Sequence, residues 1–236
     1  MTEMERLVAV RGIEPWRRRL FLPAYRVKDA AKFAEVNPRT VNYWCFGGGQ
    51  SGPALPHRER GAAISWMQMI EIAVVARMRT LGVSLQRIRR ARDYIAVRQG
   101  CEFPFAEQSF MTDGARIFLD LAEQEGWRDR DAVVVADEAG QLDWKSMLME
   151  RLEQFDYERE LALRWHVGGR DSPVLMDPQI SFGAPTVRGV ATWAIRGRWQ
   201  AGESEIDIAD DFELDQKEVR AALTFEKVKL NELRVH

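Results

Sequence analysis

The sequence predicts an α+β fold that is mostly helical, and three observations lead to this expectation. Apolar residues recur at helical spacing within the first hundred residues and again near the C-terminus. A shorter stretch between these regions alternates apolar and polar residues, which is typical of a strand. Glycine, proline and helix-capping residues stand at the ends of the segments. We therefore expect an N-terminal winged helix-turn-helix, a small antiparallel β connector and a C-terminal helical domain that is helix-turn-helix-like.

The predicted parts divide the 236 residues into four segments. They are an N-terminal arm at 1–22, the winged helix-turn-helix at 23–100, the α+β connector at 101–172, and the C-terminal helical domain with its tail at 173–236. With 46% hydrophobic residues, the chain is able to bury a substantial core.

The charges are unevenly distributed along the chain. Residues 1–100 contain 18 Lys and Arg against 8 Asp and Glu, a balance of +10, whereas residues 101–236 contain 16 against 28, a balance of −12. Such asymmetry indicates a polyanionic partner for the basic half. The alternative is that two oppositely charged domains attract each other, and charge alone does not choose between these interpretations.

Several classes of protein are disfavoured by the sequence. No apolar stretch approaches the ~18 residues that span a bilayer, and the first residues lack the apolar region of a secretory signal. Two cysteines are too few for a disulfide scaffold or a closed zinc site. No Walker A, GxSxG or HExxH motif occurs. We expect a cytoplasmic protein without membrane association, cofactor or metal, and we do not expect an enzyme.

A helix-turn-helix is predicted early in the chain. Apolar residues recur at helical spacing at positions 27, 30, 31 and 34. After a brief connection, Asn37 and Pro38 provide an N-cap and a proline at the first helical position. In the second helix Val41 and Trp44 can face the core. The outward-facing side chains are Arg39, Thr40, Asn42 and Tyr43. In the major groove, arginine and asparagine can read base edges, and threonine and tyrosine can reach phosphates.

A loop rich in glycine, proline and basic residues follows at 47–60, and two more helices are predicted at 65–81 and 84–98. The last of these helices contains five arginines and is therefore positively charged. The alternative for this whole region, without DNA binding, is a helical bundle whose arginines are simply solvated.

Two separate motifs resemble the MerR-like DNA-binding domain. The stretch YRVKDAAKFAEVNPRTVNYW (25–44) resembles its helix-turn-helix, and RTLGVSLQRIR (79–89) resembles its later helix pair. The resemblance implies that residues 45–63 form the wing, with Arg58 and Arg60 near phosphates. It also implies a homodimer that meets a two-fold operator. The helix at 65–81 agrees with a dimer, because it carries more apolar residues than one small domain is expected to bury.

The main alternative is a MerR-like regulator that senses a small ligand or metal. Cys101 follows the last helix of the basic half, where metal sensors of that family place a thiolate. A soft metal needs two or three ligands, and no second cysteine or histidine lies nearby in the sequence. We therefore interpret Cys101, and also Cys45 beside Trp44, as small hydrophobic residues.

The connector is expected to contain mixed structure. Residues 102–112 and 116–121 flank Thr112-Asp113-Gly114, a hairpin signal. Further predicted elements are a strand at 132–136, a helix at 146–155 and a half-buried strand at 161–167. His166 has no cysteine or carboxylate at a ligand spacing, so an ordinary surface or core histidine is expected.

The C-terminal domain is expected to be an acidic helical module. Residues 177–190 form a turn-rich entry, and a helix is predicted at 192–200. Ser204 with Asp207, and Asp215 with Glu218, are capping signatures of two more helices. Between positions 202 and 218 there are eight acidic residues and only Lys217 is basic. Because this surface would repel DNA, it is better suited to dimerisation or to docking a partner protein.

This module resembles the C-terminal domain of unknown function found in VapB-type antitoxins. The family pattern is present as Asp177-Pro178, GAPTVRG (183–189), AGES (201–204) and VRAALTF (219–225). The resemblance implies a cognate PIN-like ribonuclease toxin as partner, whose active site is a cluster of carboxylates around a metal. The basic residues of the chain's tail are expected to contact it. They are Lys227, Lys229 and Arg234.

The combined expectation is an antitoxin that neutralises a PIN-like ribonuclease and represses its own operon by binding operator DNA. The alternative is a MerR-like transcription regulator that senses a small ligand. A hydrolase built on the connector is a third and weaker hypothesis.

Overall fold

The structure is a computed structural model, and it describes residues 15–47, 52–56, 58, 60–111 and 148–228. The chain divides into two compact units. Unit 1 comprises Met1–Glu153 and Tyr157–Ala162, and unit 2 comprises Gln154–Asp156 and Leu163–His236. The predicted hairpin around 112–114, its flank at 116–121 and the predicted strand at 132–136 lie outside the described residues.

Unit 1 is helical in its described part. Its helices are α1 (Pro15–Arg19), α2 (Val27–Phe33), α3 (Pro38–Phe46), α4 (Trp66–Thr80) and α5 (Leu85–Gln99). A further short helical stretch covers 148–152. The helices predicted at 27–34, 65–81 and 84–98 correspond to α2, α4 and α5 with ends shifted by one residue, within the usual uncertainty of helix ends.

Local capping chemistry explains where these helices begin. The Asn37 side chain accepts a hydrogen bond of 2.8 Å from the backbone N–H of Arg39. Ser65 and Gln68 form a reciprocal capping box at the start of α4. Ser84 caps α5, which ends at Gly100 in the left-handed conformation, φ 66°. Each cap satisfies backbone groups that a helix end leaves without partners.

Helix α4 is the buried centre of unit 1. Its buried side chains are Trp66, Met67, Met69, Ile70, Glu71, Ile72, Ala73, Val74, Val75, Ala76 and Met78. A single copy of the chain already covers them. The expectation that the apolar residues of 65–81 are left over for a dimer interface is therefore wrong. A helix that is apolar all round is a core helix.

A buried ion pair joins α4 to α5 and to the turn that follows. The guanidinium of Arg92 lies 3.3 Å from the Glu71 carboxylate, and both side chains are at most 3% exposed. Arg92 also donates to the carbonyl of Glu102 at 2.6 Å, and the Phe105 N–H donates to Glu71 at 3.4 Å. The pair therefore fixes the 3-10 turn Pro104–Ala106 against both helices.

The β strands are β1 (Phe155–Glu158), β2 (Leu161–Trp165), β3 (Leu175–Met176), β4 (Pro185–Val187) and β5 (Val190–Ala191). They neighbour one another in chain order, and each pair of neighbours from β2 to β5 is antiparallel. The tip of the β1–β2 hairpin belongs to unit 1 and its open end to unit 2.

Two expectations about this region need correction. The helix predicted at 146–155 ends at 152, because Phe155 begins β1 and its ring packs on Trp165 at 5.6 Å between centroids. Residues 146 and 147 lie outside the described residues. The strand predicted at 161–167 ends at Trp165 and is not half-buried, since Ala162 is buried together with Leu161 and Leu163. The carbonyl of Ala162 accepts a 2.7 Å bond from the Trp66 indole.

Unit 2 contains the three helices that the C-terminal sequence predicted. They are α6 (Thr192–Gln200), α7 (Glu205–Phe212) and α8 (Gln216–Phe225). Ser204 caps α7, and Asp215 with Glu218 forms a capping box on α8, as expected. The entry segment 177–190 holds turns, but it also contains β4. The helices bury one apolar cluster, whose members are Val174, Val187, Ile195, Ile208, Ala209, Leu214, Val219, Ala222 and Leu223.

The buried carboxyl group of Glu71 makes stability depend on pH. Burial raises its pKa from 4.5 to about 7, and the nearby Arg92 opposes this shift. Between these values the unfolded chain loses the proton first, so rising pH removes stability from the folded state. We expect the unfolding free energy to fall by on the order of 1–3 kcal/mol between pH 5 and pH 8 on account of this group.

The measurement is denaturant unfolding of the wild type and of Glu71→Gln at both pH values. Other groups titrate in both proteins, so the difference between the two slopes isolates Glu71. Identical slopes would show that the Glu71 carboxyl does not titrate in this range.

Candidate nucleic-acid interface

Helix α3 is held with one side buried and the other in solvent. Val41 and Trp44 are buried, as predicted, and α3 packs against α2 through the buried Ala30 and Ala31. Asn37 caps the N-terminus of the helix. This packing leaves the opposite side of α3 without protein cover among the described residues.

The exposed side of α3 carries most of the residues predicted to contact DNA. Arg39, Asn42 and Tyr43 are exposed. Together with Phe46 they follow a spacing of three, four and seven residues, which places them on one face of a helix. Thr40 is half-buried and lies off this face.

The loop after α3 brings two arginines back to this face. The guanidinium carbons of Arg58 and Arg60 lie 5.0 Å and 4.9 Å from the centroid of the Phe46 ring. Both contacts are in the range of cation–π interactions. We call the group formed by Arg39, Asn42, Tyr43, Phe46, Arg58 and Arg60 the α3 surface. Phe46 was missed in the sequence, where only its place close to Tyr43 and Trp44 could have drawn attention to it.

Arg58 is tied into the protein by hydrogen bonds. Its NH1 donates to Oδ1 of Asn42 at 2.9 Å, and its NH2 donates to the carbonyl of Ala62 at 3.0 Å. Its Nε is buried and has no hydrogen-bond partner among the described residues. The structure thus brings together two predicted DNA-contacting residues that are 16 positions apart in the sequence. The expected β wing is not seen in the described part of 45–63, which contains no strand.

Gly47 sets the position of the Tyr43 ring. A Cβ atom at Gly47 would lie 2.4 Å from Cδ2 of Tyr43 and 2.5 Å from its carbonyl oxygen. The Gly47 N–H donates to that same carbonyl at 2.7 Å. Only glycine lets the ring of Tyr43, which is 54% exposed, lie across the end of α3.

The two cysteines have environments that favour the thiol form. Cys45 is buried, and this burial raises its pKa although Arg58 opposes the shift. Burial also raises the pKa of the half-buried Cys101 to about 12, with Glu107 as the next cause. Metal ligation requires the thiolate. Among the described residues, no three histidine, cysteine or acidic side chains are grouped to hold a metal ion.

Arginines within unit 2 pair with much of the acidity of its helical module. Arg198 pairs with Glu203 and with Asp211, Arg220 pairs with Glu205 at 2.6 Å, and Arg188 lies 3.9 Å from Glu218. Asp207 and Asp215 take part in helix caps. The acidic surface expected from the sequence is therefore partly compensated by these arginines.

Unit 2 exposes several large apolar side chains within this module. They are Ile180, Phe182, Trp193 and Ile206, and Phe182 is 96% exposed. Phe182 stands on a turn with positive φ angles at three consecutive residues, 46°, 55° and 75° at Ser181, Phe182 and Gly183. Ser181 closes the turn by donating to the carbonyl of Gly189 at 3.1 Å.

His166 has a carboxylate partner that the sequence did not reveal. Its Nε2 lies 2.9 Å from Oδ2 of Asp156, and Arg170 donates to the other oxygen of Asp156 at 2.7 Å. Burial opposes ionisation of Asp156, but the bonds from His166 and Arg170 outweigh it and lower the pKa. The sequence shows no carboxylate at a ligand spacing from His166, and the β1–β2 hairpin brings Asp156, ten residues away, into contact with it.

The C-terminal end of α8 is anchored before the basic tail begins. Glu226 accepts bonds from Thr192 at 2.7 Å and from Arg196 at 2.8 Å. Lys227 is exposed, with φ 59°, and Val228 packs against the apolar cluster of unit 2. Lys229 and Arg234 lie outside the described residues.

Comparison with known proteins agrees with the resemblance of the C-terminal module. Residues 174–225 match the family described as "Protein of unknown function (DUF433)". Over 227 residues the chain is 28% identical to a protein of Mycobacterium tuberculosis (strain ATCC 25618 / H37Rv) named "Putative antitoxin VapB45". This match covers 87% of the present chain and 94% of that relative.

A solved structure has a similar fold. The X-ray crystal structure of Rv2018 from Mycobacterium tuberculosis matches with a TM-score of 0.70 and 24% identity. The match covers 87% of this chain and 99% of that one.

Within the described ranges, none of the helices is both long and apolar enough to cross a bilayer.

The contact between Gly47 and Tyr43 can be tested with two glycine variants. The Cβ atom added by Gly47→Ala clashes with the ring and the carbonyl of Tyr43, which must both move away from it. We expect this change to lower the free energy of unfolding by about 1–3 kcal/mol. The control Gly197→Ala places a methyl group in open space on α6, and we expect it to add about 0.5–1 kcal/mol. Denaturant unfolding measures both. Equal stability of Gly47→Ala and the wild type would contradict the contact.

Proposed function

We propose that this protein is an antitoxin that neutralises a PIN-like ribonuclease toxin and represses its own operon by binding operator DNA. The name of the relative that is similar over 87% of the chain supports the antitoxin role. The match of residues 174–225 to the DUF433 family also supports this role, because the motifs of the same segment resemble the C-terminal domain of VapB-type antitoxins. Catalysis belongs to the partner in this proposal, and the chain itself is regulatory.

The α3 surface is the observation that carries the DNA-binding part of the proposal. Arginine, asparagine and tyrosine side chains stand exposed on one face of a short helix, and two further arginines flank its last turn. A helix of this kind fits the major groove, where base edges are read. Guanidinium groups beside it can neutralise phosphates.

A homodimer remains part of the proposal, since a dimer with two-fold symmetry can bind the two half-sites of a two-fold symmetric operator. Because the apolar side chains of α4 are buried within one chain, we do not place the dimer interface on them. Light scattering at micromolar concentration measures the mass.

The toxin contact is proposed for the basic tail, with Lys227, Lys229 and Arg234 facing the carboxylates of the ribonuclease. Glu226 fixes the start of this segment to α6 through Thr192 and Arg196. A guanidinium such as that of Arg234 can hold a carboxylate through two parallel hydrogen bonds. The antitoxin role as a whole is tested by co-expression with a neighbouring PIN-like reading frame, and persistent growth arrest would remove it.

Removing a base-reading side chain is expected to weaken operator binding. Arg39→Ala should reduce affinity about five- to a hundredfold, since one good base contact contributes ~1–3 kcal/mol. The measurement is a gel-shift titration at fixed salt. Lys217→Ala is the matched control, because it removes an exposed positive charge from unit 2. Equal affinity of the two variants would contradict the assignment of the α3 surface to DNA.

Removing the tail is expected to abolish toxin inhibition and leave DNA binding unchanged. The truncation should keep Val228, whose N–H donates to the Leu223 carbonyl at 3.0 Å and whose side chain packs on the core. The variant therefore lacks 229–236 and carries Lys227→Ala. Inhibition of ribonuclease activity is measured at equal stoichiometry, with the exposed-residue variant Trp193→Ala as comparison.

Full inhibition by the truncated variant would exclude the tail as the inhibitory element. Loss of inhibition in Trp193→Ala alone would assign toxin contact to the exposed apolar side chains of unit 2. Loss in the truncated variant alone supports the tail.

A further inference from the structure

The oxygen end of the Asn42 side chain is turned towards Arg58. Oδ1 accepts the 2.9 Å bond from Arg58, and this bond is charge-assisted because the guanidinium is always protonated. The amide is planar, so fixing its oxygen also fixes the direction of its NH2 group. Asn42 is exposed and lies between Arg39 and Phe46 on the α3 surface.

Arg58 is suited to hold this orientation because its own position is determined by several contacts. One amino group binds Asn42, the other binds the carbonyl of Ala62, and the plane lies over Phe46. A lysine at this position would offer a point charge without the planar fork that makes these contacts together. Arg58 therefore acts on DNA through another residue, as a positioning residue.

The orientation decides which base edge suits Asn42. An asparagine that reads adenine accepts from the N6 amine and donates to N7. Here the accepting oxygen is shared with a guanidinium, and a base amine that approached it would meet the positive charges of Arg58 and Arg60. Guanine presents two acceptors, N7 and O6, in the major groove. The donor NH2 group of Asn42 and the positive surroundings both favour guanine.

We propose that Arg58 orients Asn42 as a hydrogen-bond donor, so that the α3 surface selects a guanine over an adenine at the base pair that Asn42 contacts. This inference rests on the proposed DNA-binding function and specifies how that site reads sequence. It assigns Arg58 to specificity, whereas the sequence suggested a contact with phosphate.

The experiment begins with selection of binding sites from random DNA duplexes by the full chain. The base pair read by Asn42 is the one at which Asn42→Ala loses preference. At that pair, duplexes carrying guanine, adenine or 7-deazaguanine are compared with the wild type. We expect guanine to bind about tenfold or more tightly than either of the other two, because adenine lacks O6 and 7-deazaguanine lacks N7.

The variants Arg58→Met and Arg58→Lys separate orientation from charge. Arg58→Met has no donor for Asn42, and we expect its preference for guanine over adenine to fall towards unity. Arg58→Lys keeps the positive charge, so the slope of affinity against salt should stay the same. Its ammonium can donate to Asn42 but lacks the planar fork, and we expect it to keep part of the preference. Thermal unfolding of both variants shows whether the fold is retained.

The outcomes distinguish the two levels of the proposal. A wild type that selects no sequence would overturn DNA reading altogether. A wild type that reads DNA but prefers adenine at the Asn42 position would overturn the orientation. Full preference for guanine in Arg58→Met would overturn the role of Arg58 and leave the proposed function standing.

Discussion

The architecture of unit 1 depends on the burial of α4 together with its single carboxylate. When Glu71 is ionised it has to be compensated, because an isolated charge in a protein interior costs several kcal/mol. Arg92 supplies the counter-charge from α5 and at the same time binds the carbonyl of Glu102. The turn after α5 is thereby fixed to α4, and the core is closed without a free apolar side on that helix. The α3 surface is presented from this frame, since α2 and α3 pack as a pair and α2 rests on α4.

The features that depend on neighbouring residues in the chain were predictable from the sequence. N-caps at Asn37, Ser65, Ser84, Ser204 and Asp215 are all present, because capping involves a side chain and a backbone N–H two or three residues away. The helix boundaries followed from them. The C-terminal module was recognised from residues that the family match also covers.

The features that depend on distant residues were not predictable. The ring of Phe46 gains its role only because the loop folds back and sets two arginines on it. Asp156 and His166 meet across a hairpin. The apolar pattern of 65–81 indicated a helix correctly but gave no measure of how many of its sides the tertiary structure covers. Periodicity reports local geometry, whereas burial depends on every element that packs nearby.

The ion pairs on α7 and α8 also affect the kinetics of recognition. Between residues 202 and 218 the excess of seven negative charges falls to four when Arg188, Arg198 and Arg220, which lie against its carboxylates, are counted. The remaining negative field is screened over a Debye length, which is about 8 Å at physiological salt. A partner with a basic face is therefore still steered towards this module, and its association rate should fall as salt is added.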